Sequence, residues 1–203
     1  MTTIYVTRHG QTKWNLEGRM QGRQDSPLTP LGEKQARWLG ARLKEVTLSS
    51  IHTSSSGRTK QTAEQIRGER ELPIIENHSW KEIDLGPWEG RLKNEVEKED
   101  PDRFHHFWNK PASYLPDDGE TYQDVIQRAG NELEKLALSQ EGKSILLVTH
   151  AVVLKALLAY VSEKSLEDFW SGAYMHSTSL TILEKENGRW KVKLEGDTTH
   201  YPS

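Results

Sequence analysis

Ser144-Ile145-Leu146-Leu147-Val148-Thr149 is an unbroken, mainly apolar run that stops at His150, and a second apolar stretch from Ala151 to Val161 follows at once. A strand that is apolar at nearly every position has two faces to cover, which is the condition of an inner strand in a parallel sheet. Such a sheet needs helices on both sides, and the rest of the chain supplies them. Thr29-Pro30 reads as an N-cap and first helical position, with Leu31, Ala36, Leu39, Leu43 and Val46 recurring at helical spacing. A short strand at 48–53 leads through Ser54-Ser55-Ser56-Gly57 into a helix carrying Arg58, Thr62, Ala63 and Ile66. Residues 4–7 and 73–77 read as further strands, and Tyr122, Val125, Ile126, Ala129, Leu133 and Leu136 define a core-facing helix. Residues 178–185 and 190–194, separated by Glu186-Asn187-Gly188-Arg189, form a hairpin pattern. The fold expected is α/β: a three-layer α/β/α sandwich whose mostly parallel sheet carries one antiparallel edge strand.

At 203 residues, with no repeat, low-complexity tract or long linker, the chain fits a single domain over 1–203. Charged residues make up 28% of it, and the apolar stretch 151–161 contains Lys155 and is far shorter than the about 20 residues of a membrane span. The chain enters a strand after Met1-Thr2-Thr3, which leaves no room for a secretory leader. Cysteine is absent, excluding disulfides, thiolate metal sites and a cysteine nucleophile. These features fit a cytoplasmic protein with no membrane partner. A formal net charge of -3 gives no general attraction for nucleic acid, so any anion must be drawn by a local cluster of positive groups.

One such cluster begins at Arg8-His9-Gly10, directly after the first strand. Arginine offers planar paired donors to phosphate oxygens, a neutral imidazole can attack phosphorus, and the glycine lets the backbone turn away. Ligands in open α/β sheets bind beyond the carboxyl ends of the strands. His9 and His150 both occupy that position, so they can face each other across the sheet edge. Arg58 follows a serine-rich turn near a helix N-terminus, where free backbone N–H groups also attract anions.

Five blocks together resemble the histidine phosphatase superfamily, which includes cofactor-dependent phosphoglycerate mutases and fructose-bisphosphatase domains. They are Arg8-His9-Gly10 through Asn15; Leu28-Thr29-Pro30-Leu31-Gly32 with Gln35-Ala36; Arg58 with Gln61-Thr62-Ala63; Glu82 with Gly86 and Trp88-Glu89-Gly90; and Val148-Thr149-His150. The resemblance implies that His9 is a nucleophile, Arg8 and Arg58 clamp the phosphoryl oxygens, and His150 is a second imidazole at the transferring group. It makes Glu82 the acid that protonates the leaving oxygen and the base that activates water, with Asp84 as the fallback. Asn15 is expected to donate to the phosphate. Gln21-Gly22 reads either as a backbone donor to the ligand or as a simple turn. The resemblance calls for no metal and no cofactor.

Many members of the superfamily place glycine after the second histidine, and the mutases Gly-Asn; here Ala151-Val152 stands instead, excluding or straining a glycine-only backbone. With the compact Trp88-Glu89-Gly90 block, this resembles the phosphatase branch. The implied activity is a metal-independent phosphatase acting on small-molecule phosphate monoesters with broad specificity through phosphohistidine. A phosphoglycerate mutase and a non-catalytic phospho-ligand binding module are the alternatives. A metal site at His105-His106 ranks third, because adjacent residues on a helix point in different directions. Residues 91–119 read as a cap-like insert of short helix and loop over the site. Its Phe104, Phe107, Trp108, Tyr114 and Leu115 either build a satellite core or line the pocket mouth beside Leu16. Phe107, Tyr114, Leu16 and Ala151 are thus substrate-side candidates, and the assembly expected is a monomer or weak dimer.

Overall fold

The computed structural model describes residues 1–202. Its chain order is β1 (Thr2–Arg8), α1 (Lys13–Glu17), α2 (Pro30–Arg42), β2 (Ile51–Ser54), α3 (Gly57–Arg67), β3 (Ile74–Asn77), α4 (Lys93–Glu99), α5 (Pro101–Asn109), α6 (Tyr122–Ser139), β4 (Ser144–Thr149), α7 (Ala151–Val161), β5 (Leu180–Glu186) and β6 (Arg189–Asp197). One six-stranded sheet runs β3-β2-β4-β1-β5-β6. The pairs β3–β2, β2–β4 and β4–β1 are parallel, while the β5–β6 hairpin extends the sheet antiparallel beyond β1.

Side chains alternate between the two faces, as the pleat requires. Ile4, Val6, Ile145 and Leu147 join the larger core beneath α6 and α7, and Leu146, Val148 and Ile51 join a second core beneath α2 and α3. Three layers result. The mainly apolar β4 is buried from Ile145 to Thr149 because helices lie on both sides, and α7 buries eight consecutive residues, Val152 through Ala159. Lys155 is among them; its ammonium donates to the Ser171 carbonyl at 2.6 Å.

Two helices arise in stretches without apolar periodicity. In α1, a reciprocal cap between Thr12 and Asn15 organises five residues. In α4, only Val96 is buried. The segment 91–119 packs into the larger core itself, not a satellite one: Phe107 and Tyr114 are each 2% exposed. Tyr122 Oη and Trp170 Nε1 both donate to the Phe107 carbonyl, at 2.6 and 3.0 Å. Among the described residues no helix is long and apolar enough to cross a membrane.

Candidate active site

The in-register pairing of β1 with β4 ends at Arg8 opposite Thr149, and His9 N–H donates to the Thr149 carbonyl at 2.9 Å. His9 and His150, one residue further on, therefore emerge side by side with ring centroids 5.4 Å apart. His9 Nδ1 lies 2.8 Å from the Gly10 carbonyl. A carbonyl only accepts, so Nδ1 carries the proton and Nε2 keeps its lone pair. Burial, then Arg58, then Arg8 push the His9 pKa well below the ordinary 6.5, which keeps the ring neutral. His150 is lowered in the same way, by burial first and then by Arg58 and His9. Both of its ring nitrogens are buried without a protein partner among the described residues.

Gly10 turns the chain behind the nucleophile against the N-terminus of α2. A Cβ on Gly10 would lie 2.5 Å from the Gly32 carbonyl, and one on Gly32 would lie 2.1 Å from the Gln11 carbonyl. Backbone thus packs on backbone, and Gly10 N–H donates to Thr62 Oγ1 on α3.

Arg58 is 1% exposed. Its Nη1 donates to the Gln24 carbonyl and Asp25, at 2.7 and 2.9 Å, and its Nη2 to the Gly22 carbonyl at 2.8 Å. Guanidinium carries five N–H donors, so Nε–H and one hydrogen on Nη2 stay free for a ligand. Arg8 has the same partial commitment: Nη1 donates to the Met175 carbonyl at 2.9 Å, while its buried Nε has no partner among the described residues. The loop held by Arg58 is held from its other side by Glu89, whose carboxylate accepts from Arg23 N, Gln24 N and Leu85 N. Gly22 sits at φ 52, and a Cβ there would lie 2.2 Å from Glu89 Oε1, so this turn admits only glycine.

Glu82 is buried, and its carboxylate accepts from Ile83 N, Val152 N and Val153 N at 3.0, 3.2 and 3.3 Å. The last two belong to the first turn of α7, where uncommitted N–H groups favour a carboxylate. Burial outweighs these bonds and raises the Glu82 pKa above 4.5. A carboxyl group poised in this way can release a proton and take one back. Asp84 is turned elsewhere: it pairs with Arg23 at 2.8 Å and accepts from Gly86 N–H.

These groups border a cavity of about 460 Å³. Of the residues expected at the site, Arg8, His9, Asn15, Gln21, Gly22, Arg58, Glu82, Phe107 and Ala151 line it. His150 stands behind them against His9. Ala151 opens α7 without a positive φ, so the absence of glycine introduces no strain. Leu16 and Tyr114 lie outside the lining: Leu16 is 66% exposed on α1, and Tyr114 is enclosed by Trp88, Phe107 and Tyr122. The sequence reading missed a wall formed by Trp170, Gly172, Ala173, Tyr174 and Met175. That stretch carries no periodic pattern; Lys155 and the bond from Ala173 N–H to Glu195 hold it in place. His105 and His106 are outside the cavity, and no cluster of three or more potential metal ligands occurs among the described residues.

Residues 4–198 match the profile of the histidine phosphatase superfamily (branch 1). The protein named "Uncharacterized phosphatase PhoE" of Bacillus subtilis is 32% identical over 95% of this chain and 93% of its own. The "Probable phosphoglycerate mutase GpmB" of Escherichia coli is 34% identical over 98% and 95%. Among solved structures, Bacillus stearothermophilus YhfR superposes with a TM-score of 0.97 at 48% identity, over 98% of this chain and 99% of that one. This chain belongs to the histidine phosphatase superfamily, branch 1.

Proposed function

We propose that the protein is a metal-independent phosphomonoesterase of broad specificity that works through a phosphohistidine. The observation that carries this reading is the neutral His9, its Nδ1–H fixed on the Gly10 carbonyl beside uncommitted donors of Arg8, Arg58 and His150. His9 Nε2 attacks phosphorus, the ester P–O bond breaks, and protonated Glu82 gives its proton to the departing oxygen. Arg8 and Arg58 neutralise the charge on the equatorial oxygens, and Asn15 and the buried, neutral His150 donate hydrogen bonds to them. Glu82, now ionised, takes a proton from water as the water oxygen attacks phosphorus. The N–P bond breaks, releasing inorganic phosphate and restoring both residues.

Ile83, Leu85, Phe107, Trp108, Trp170 and Met175 give the leaving-group side of the cavity an apolar wall. Apolar contacts discriminate weakly, which supports loose specificity with a preference for aryl and other apolar esters. Phosphate release is measured over a panel of aryl and alkyl monoesters and 3-phosphoglycerate, with and without a chelator, and the acid-labile phosphoenzyme is trapped in wild type and His9→Ala. Turnover unaffected by chelation, with both turnover and trapped phosphate absent from His9→Ala, is expected. Conversion of 3-phosphoglycerate to its isomer in place of free phosphate would establish a mutase instead. Phosphate binding without turnover of any ester would establish a binding module.

A further inference from the structure

Glu82 stands on residues 81–85, which belong to no helix or strand among the described residues. No regular backbone ladder fixes that stretch, so carbonyl groups in it and just before it need side-chain partners. Arg128 on α6 supplies two. Its Nη1 donates to the Ser79 carbonyl at 2.9 Å and its Nη2 to the Glu82 carbonyl at 3.2 Å. Thr149 Oγ1, at the end of β4, donates to the Trp80 carbonyl at 2.9 Å. The main chain that carries the carboxyl group is thus gripped from α6 and from β4, while Trp80 and Ile83 anchor it in the larger core.

The guanidinium is itself held in one plane. Nε and Nη2 of Arg128 donate to Glu120 Oε1 and Oε2 at 2.7 and 2.9 Å, the paired geometry of a planar fork on a carboxylate. Their side chains are 20% and 15% exposed, so the pair is largely withdrawn from solvent. Glu120 reaches two further parts of the site. Its Oε2 accepts from Asp84 N–H at 3.1 Å, and its Oε1 meets Arg23 Nη2 at 3.2 Å. Arg23 belongs to the loop that Arg58 holds through the Gly22 and Gln24 carbonyls. The segment bearing the acid and the loop bracing the phosphate clamp are therefore tied to one ion pair, although neither Arg128 nor Glu120 lines the catalytic cavity. A role confined to stability requires only that the charge of Glu120 be matched. Bonding two carbonyls three residues apart, one of them on Glu82 itself, requires the fork of arginine, which a lysine ammonium lacks.

We propose that Arg128, oriented by Glu120, is a positioning residue for proton transfer, setting where the Glu82 carboxyl group meets the departing oxygen. The proposal rests on the phosphatase reading, in which Glu82 protonates that oxygen. A displacement of about 1 Å in a reacting group costs about a hundredfold, and here the loss falls on esters that need the proton.

The test is a double-mutant cycle of Arg128→Lys and Glu82→Gln, read as kcat and KM on glycerol phosphate and on p-nitrophenyl phosphate, with inhibition by inorganic phosphate measured alongside. Arg128→Lys keeps the charge opposite Glu120 and gives up the fork. It is expected to lower kcat/KM for glycerol phosphate by about tenfold to a hundredfold, mainly through kcat, and that for p-nitrophenyl phosphate by less than about threefold. Inhibition by phosphate is expected to stay as in the wild type, because Arg8 and Arg58 are untouched. In the Glu82→Gln background there is no proton to place, so adding Arg128→Lys is expected to cost less than about threefold more on glycerol phosphate. Undiminished turnover in Arg128→Lys, equal losses on the two esters, or the same loss with and without Glu82→Gln would overturn the proposal and leave the acid assignment standing. Equal losses on the two esters from Glu82→Gln alone would overturn both. If Arg128→Lys does not fold, Glu120→Gln, which removes one arm of the paired contact and leaves both carbonyls their donors, goes through the same cycle under the same criteria.

Discussion

Replacing Glu82 by glutamine separates proton transfer from packing. The two side chains are nearly isosteric. The amide oxygen can keep the bonds now made by Oε1 to Ile83 and Val153 N–H, at 3.0 and 3.3 Å. Its amino group then faces Val152 N–H, which Oε2 now accepts at 3.2 Å, so one buried bond is lost and two donors oppose each other. A buried donor left unpaired costs about 1–3 kcal/mol, and this appears as a lower unfolding midpoint. The chemical effect is larger and depends on substrate. A positioned general acid contributes about a hundredfold to ten-thousandfold, so kcat/KM for an alkyl ester such as glycerol phosphate falls by that factor. p-Nitrophenolate leaves with little need of a proton, and its ester loses less than about tenfold. Steady-state kinetics on the two substrates, at a temperature where both proteins are folded, give the ratio. Equal losses on both would refute the assignment of Glu82 as the acid.

Other consequences follow from the same geometry. Folding holds His9 and His150 neutral by lowering both pKa values well below 6.5. Their contribution to stability is fully present above pH 6.5 and is lost as pH falls from there through the folded values, by up to about 1.4 kcal/mol per group per pH unit. Denaturant titrations between pH 7.5 and 5.5 should give a shallower slope for His9→Asn than for wild type; identical slopes would remove His9 as a source. Because burial raises the Glu82 pKa, hydrolysis of alkyl esters should decline as pH rises through that value, and this limb should vanish in Glu82→Gln. An alkaline limb unchanged in the variant would point to another group. Gly32→Ala sets helix propensity, which favours alanine by about 1 kcal/mol, against a Cβ 2.1 Å from the Gln11 carbonyl. Overpacking of about 1–3 kcal/mol should win and lower both stability and kcat; a stabilised variant would show that the loop behind His9 yields freely.

The sheet and both histidines were legible because each depends on a local pattern: an apolar run fixes β4 as an inner strand, and His9 and His150 directly follow strands. Arg58 was legible from its place after a serine-rich turn, but its attachment to the Gly22–Asp25 loop was not, since nothing local ties residue 58 to residue 22. The opposite error occurred at Tyr114 and Leu16. Aromatic bulk beside loop signals suggested a pocket mouth, yet Tyr114 packs among aromatic neighbours and Leu16 projects to solvent. The wall from Trp170 to Met175 escaped notice for a physical reason: its position comes from long-range bonds to Lys155 and Glu195, and such pairings leave no periodicity to read.

The parallel register of β1 and β4 gives the site a fixed gauge. Neighbouring strands lie about 4.8 Å apart, and the two imidazoles, one residue beyond the last paired positions, are 5.4 Å apart. Their spacing is thus set by the backbone hydrogen-bond ladder and does not depend on the cavity walls. An inserted or deleted residue within either strand would turn its histidine to the opposite face, so the lengths of these two segments are tightly constrained. Side chains of the cavity wall such as Trp108, Tyr174 and Met175 face no such constraint. They can change, altering which ester is accepted, while the distance between nucleophile and second imidazole stays the same.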